Sequence, residues 1–108
     1  MDKRVFNLLG LAMRAGAVVT GDEACLARIR AGKAALTVVA QDAGPNTKKK
    51  YRDKCRTYQV PLVEIGTKQE LGRALGKIER AVAVVVNQGF AGRILQLSRE
   101  QIGGEACE

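Results

Sequence analysis

Four short apolar runs, Ala17–Thr20, Ala35–Ala40, Val60–Ile65 and Ala81–Val86, alternate along the chain with segments whose apolar residues recur every three or four positions. Runs of that length suit strands, and the period between them is that of an amphipathic helix. A chain that changes from one period to the other at almost every step has few ways to bury both kinds of face. The order argues for an α/β sandwich, a central sheet with helices on both faces. Ala35–Ala40 is nearly continuous in apolar residues, as expected of a strand covered on both sides. Ala81–Val86 is the most strand-like segment. A length of 108 residues is enough for one compact domain, and neither repeats nor a linker interrupts it. We read one domain over 1–102 and a tail, 103–108, with no reason to be ordered.

The punctuation agrees with that order. Asp2 can cap a first helix with Val5, Leu8, Leu9, Ala12 and Met13 on one face, stopped by Gly16. Thr20 and Glu23 have capping-box spacing, so a second helix is expected from about Gly21 to Gly32. After the turn-rich 41–46 segment, Asn46 or Thr47 opens a third helix, with Tyr51, Cys55 and Tyr58 facing the core. Pro61 sits at the start of its strand, where a missing N–H matters least. Thr67 and Glu70 repeat the capping-box spacing before a short helix carrying Leu71, Ala74 and Leu75. Phe90–Arg99 closes with a helix burying Phe90, Ile94, Leu95 and Leu97.

Composition removes several function classes. There is no histidine, so Cys-His and Ser-His hydrolysis are excluded and the commonest metal ligand is missing. Cys25, Cys55 and Cys107 are odd in number, widely spaced and form no CxxC pair. They read as buried or idle thiols of a reducing cytoplasm rather than as a metal or disulfide framework. Lys3 and Arg4 before an apolar stretch resemble a signal peptide, but Asn7, Gly10 and Arg14 fit an amphipathic helix better. No stretch approaches the ~20 apolar residues of a membrane span.

The formal charge is +7, and its excess is local. Residues 48–56 carry Lys48, Lys49, Lys50, Arg52, Lys54 and Arg56 against Asp53 alone, whereas charges from residue 57 onward cancel. A basic helix can contact phosphates, with counterion release driving association, or can simply solvate its outer face; both readings stand. Phe6, Tyr51, Tyr58 and Phe90 are the only aromatics, and all occupy positions the periodicity assigns to the core. That disfavours stacking of single-stranded bases on exposed rings and favours recognition of backbone and shape.

Three segments carry a resemblance. They are Leu8–Gly16 with Thr20–Glu23 and Arg30–Lys33; Val38–Ala43; and Glu70–Lys77 followed by Ala81–Val84. In this order and spacing the chain, from about Lys3 to Leu95, resembles the ribosomal protein L7Ae/L30e family of kink-turn RNA-binding proteins, most strongly its small bacterial YlxQ-like branch. The resemblance implies a three-layer α-β-α sandwich with a mixed four-stranded sheet. It also implies two neighbouring RNA-binding loops: the helix start at Thr20, Gly21, Asp22 and Glu23, and the Lys77–Ile78–Glu79–Arg80 connection. A helix start offers unpaired N–H groups to a phosphate. In the second loop Ile78 would contact an unstacked base while Lys77 and Arg80 meet phosphates. Arg28 and Lys33 are further candidate phosphate contacts. The bland alternatives are that Asp22 and Glu23 only cap their helix and that Ile78 turns inward.

Family binders usually carry Asn, Glu and Lys at the third, fourth and seventh positions counted from the glycine; here these are Glu23, Ala24 and Ala27. Glu23 accepts hydrogen bonds but cannot donate one as Asn does, and the alanines read nothing polar. Arg28 lies about 100° further round the helix, replacing the charge and not the geometry. The expectation is a non-catalytic cytoplasmic protein that binds structured RNA, kink-turn-like or ribosomal, with translation-machinery proteins as further candidate partners. No cofactor, no metal and no membrane are expected. The alternative is a protein-interaction module on the same scaffold. An enzyme fits worst, since the chain lacks a Gly-rich phosphate loop and an acid-base pair.

Overall fold

The β-branched residues of the four apolar runs pair into one sheet because Val, Ile and Thr side chains pack well on a pleated surface. The computed structural model describes residues 3–106. The strands are β1 (Val18–Thr20), β2 (Leu36–Val39), β3 (Leu62–Glu64) and β4 (Val82–Val85), in the order β1-β4-β2-β3. β4 runs antiparallel to both β1 and β2, with Thr37 opposite Val84, while β2 and β3 are parallel. The sheet is therefore mixed, and its two central strands are buried along their whole length.

Five helices cover it: α1 (Lys3–Arg14), α2 (Asp22–Arg30), α3 (Pro45–Tyr58), α4 (Lys68–Ala74) and α5 (Gln88–Ala106). α1 packs on α4 and α5, and α2 packs on α3, giving the three-layer α-β-α sandwich. Val5, Leu9 and Ala12 of α1 and Ile94 of α5 are fully or almost fully buried in one layer, and Cys25, Ile29 and Tyr51 of α2 and α3 in the other. None of the described helices is long and apolar enough to cross a membrane.

Several expectations shift in detail. Proline is preorganised for the first helical position, so α3 starts at Pro45 behind Gly44, before Asn46 or Thr47. Tyr58 is 43% exposed instead of facing the core, because the helix ends there with Gln59 in a left-handed conformation. α5 begins two residues earlier than Phe90, with the Asn87 side chain accepting from the Phe90 N–H at 3.0 Å. Its inner face is Ala91, Ile94, Leu97 and Ser98, with Phe90 and Leu95 only half-buried. The helix runs past Arg99 to Ala106. Propagation adds a hydrogen bond for each residue fixed, so an established helix extends readily. The Asp2 cap lies outside the described residues, as does Cys107.

Candidate nucleic-acid interface

The first half of the site is the start of α2. The anticipated box between Thr20 and Glu23 does not form. Gly21 is itself the cap, at φ 93° and ψ 138°, and it has no side chain with which to accept from the first turn. Only glycine holds that backbone without strain. The Cys25 N–H closes on the Gly21 carbonyl at 2.9 Å, so the N–H groups of the preceding helical residues lie beyond the intrahelical ladder. Cys25 and Ile29 turn to the sheet, while Glu23, Ala24, Ala27 and Arg28 stay exposed on the outer side.

Asp22, next to that cap, is held from α3. The Lys50 ammonium donates to both carboxylate oxygens, at 2.8 and 2.9 Å, and the hydroxyl of the fully buried Tyr51 donates to Oδ1 at 2.6 Å. These two donors, Lys50 first, hold the Asp22 carboxyl below its ordinary value, while burial raises Tyr51 well above the phenol range. The carboxylate therefore points its charge at α3 rather than outward along α2.

The second half is the connection between α4 and β4. Its base is tight: a Cβ on Gly72 would sit 2.5 Å from the Glu79 Cα. The Lys77 N–H reaches back to the Gly72 carbonyl at 2.8 Å, and the Arg80 N–H bonds the Lys68 carbonyl at 3.0 Å. The Arg80 guanidinium donates to the Glu79 carbonyl at 2.7 Å. Held this way, the loop leaves Ile78 91% exposed, the most exposed large apolar side chain among the described residues. The reading in which Ile78 turns inward does not hold.

The two halves face one cleft of about 590 Å³, lined by Thr20, Gly21, Asp22, Glu79 and Arg80 together with Thr47 and Lys50 of α3. Lys77 and Ile78 are exposed on the same loop, next in sequence to Glu79 and outside the cleft's lining. Arg28 and Lys33 are exposed outside it, Arg28 about 10 Å along α2 from the glycine and Lys33 beyond the helix end. Sequence reasoning missed Thr47 and missed the placement of Lys50. No local pattern could have found them, since Lys50 looks like its neighbours until α3 is docked against α2. The rest of the basic helix divides: Lys48 and Arg52 pair with Glu64 of β3, the latter at 2.7 Å from Nε.

Little here suits covalent chemistry. Burial pushes the Cys25 thiol up to about 11 and raises Cys55 as well, so neither is a ready thiolate. Their sulfurs donate to the Val19 carbonyl and to Thr37 Oγ1. Among the described residues no group of three or more metal-ligating side chains occurs.

Residues 3–95 match the family described as Ribosomal protein L7Ae/L30e/S12e/Gadd45. The chain is 44% identical over 92 residues to the RNA-binding protein YlxQ of Bacillus subtilis, covering 85% of this chain and 92% of that one. Its fold superposes on a Bacillus halodurans protein of unknown function with a TM-score of 0.86 at 42% identity, covering 89% and 97% of the two chains. A Giardia lamblia 15.5kD RNA binding protein gives a TM-score of 0.78 at 25% identity, covering 93% and 92%. Matched over nearly its whole length by sequence and by fold, the chain belongs to the ribosomal protein L7Ae/L30e/S12e/Gadd45 family.

Proposed function

We propose that this protein is a non-catalytic RNA-binding protein of the cytoplasm that takes a sharply bent, folded RNA into the cleft between the α2 start and the 77–80 loop. One observation carries the reading: the two loops line a single cleft, with an arginine inside it and a bare isoleucine on the loop that supplies that arginine. The names of the relatives support the ligand class. Phosphates would meet Arg80, Lys77 and the open N–H groups of α2, with Arg28 and Lys33 flanking. Thr20, Gly21 and Glu23 would approach the bases, and Ile78 would cover one that is unstacked. Asp22 and Glu79 shape the walls. Kink-turn-like and ribosomal RNA are the candidate ligands, with translation-machinery proteins as candidate neighbours.

Glu23, Ala24 and Ala27 bear on selectivity. Each good base contact gives about 1–3 kcal/mol of discrimination, so a preference for a kinked RNA over a straight duplex should be modest. The exposed Ala24 and Ala27 also suit the alternative, a protein-interaction module, whose partner would co-purify without nucleic acid.

Titration of a labelled kink-turn stem and a matched straight duplex at two salt concentrations separates these readings. Binding that weakens steeply with salt is expected, and Ile78→Ser should reduce affinity for the kinked RNA roughly tenfold while leaving the unfolding midpoint unchanged. Absence of binding to either RNA at low salt would overturn the proposal.

A further inference from the structure

We infer that Lys50 is a cation of the RNA interface, parked on Asp22 in the free protein and handed to a backbone phosphate when RNA enters the cleft. This rests on the reading above and extends the footprint from the two loops onto α3.

The placement comes first. Lys50 lines the same cleft as Arg80 and the Gly21 turn, one helical turn from Thr47. Lys48 and Arg52 are engaged by Glu64, so of the basic residues on α3 it is Lys50 that reaches the site. Before Arg28, α2 supplies no cation of its own, and Ala24 and Ala27 lie on its exposed outer side.

The pair is also built to open. Its side chains are 40% and 54% exposed, and an ion pair in such contact with water contributes little and exchanges readily. Asp22 does not depend on Lys50 alone. Tyr51, rigid because its ring is wholly buried, keeps a hydroxyl on Oδ1, so the carboxylate retains a fixed donor after the ammonium leaves. Lys50 has a flexible stem and a point charge, suited to moving a few ångströms between two anions. No bond is made or broken; one counter-anion replaces another.

Two roles for the pair give opposite signs. If it only ties α2 to α3, removing either partner should weaken RNA binding alike. If Lys50 is handed over, Lys50→Met loses a contact, whereas Asp22→Asn releases the lysine and removes a repelling charge. The probe is the fluorescent kink-turn stem titrated at several salt concentrations, with unfolding midpoints recorded in parallel. Lys50→Met is expected to weaken binding roughly tenfold and to lower the salt slope by about one, with Lys50→Arg restoring both. Asp22→Asn should bind several-fold more tightly, and Lys49→Met should change little. Equal weakening by Lys50→Met and Asp22→Asn, or no effect of Lys50→Met while the wild type binds, would overturn the role of Lys50 alone. A wild-type protein that ignores the probe would instead remove the RNA-binding reading beneath it.

Discussion

The starts of α2 and α4 carry the same spacing, Thr20 to Glu23 and Thr67 to Glu70, and fold in opposite ways. At α4 the box closes: the Thr67 hydroxyl accepts from the Glu70 N–H and the Glu70 carboxylate accepts from the Thr67 N–H, both at 3.0 Å. At α2 the helix begins one residue later behind Gly21, and no side chain caps it. One end satisfies its own orphan groups and the other leaves them for something else. The difference teaches that the same Thr-to-Glu spacing closes a cap only where no glycine intervenes to start the helix one residue later, and that the α2 start is left without a side-chain cap. α4 contributes to the site at its opposite end, through the loop that Gly72 supports.

The largest way to break this contrast is at that support. Gly72→Ala would drive a methyl into the backbone of Ile78 and Glu79, costing about 3 kcal/mol of stability in chemical denaturation and displacing the 77–80 loop. Gly21→Ala meets no atom within 4 Å, so its expected cost of about 2 kcal/mol is backbone strain alone, accompanied by weaker RNA binding. The paired caps sharpen the comparison most cleanly. Thr67→Ala should lose about 1 kcal/mol with RNA affinity intact, whereas Thr20→Ala should lose less than about half of that because it breaks no cap.

The smallest effect is in acid. The carboxyl of Asp22 is lowered from 3.8 by Lys50 and Tyr51, so its contribution is complete above the unfolded value and disappears as pH falls through the lower folded one. Asp22→Asn should therefore lose less stability than the wild type below about pH 4, as read by unfolding midpoints across that range.

The alternation of periods was enough to read every strand and helix, since burial of one face leaves a local trace in the sequence. The Thr67 cap was legible too, because both of its hydrogen bonds close within four consecutive residues. Thr20 misled because glycine one residue later offered a different turn, and spacing alone does not distinguish the two. Ile78 left its direction open, because a lone apolar residue in a loop carries no periodicity; its backbone is packed against Gly72, six residues away, and its side chain is left outside. Lys50 was hidden most deeply. Its pairing with Asp22 spans 28 residues and exists only once α3 lies on α2.

The most direct test is to follow the backbone amide resonances of the intact protein while the kink-turn stem is added. The account predicts that the amides of Gly21–Ala24 and Lys77–Arg80 shift together and saturably, while those of Thr67–Glu70 stay in place. Saturable shifts confined to the α1 and α4 faces, with the Gly21 and Ile78 amides unmoved, would contradict it.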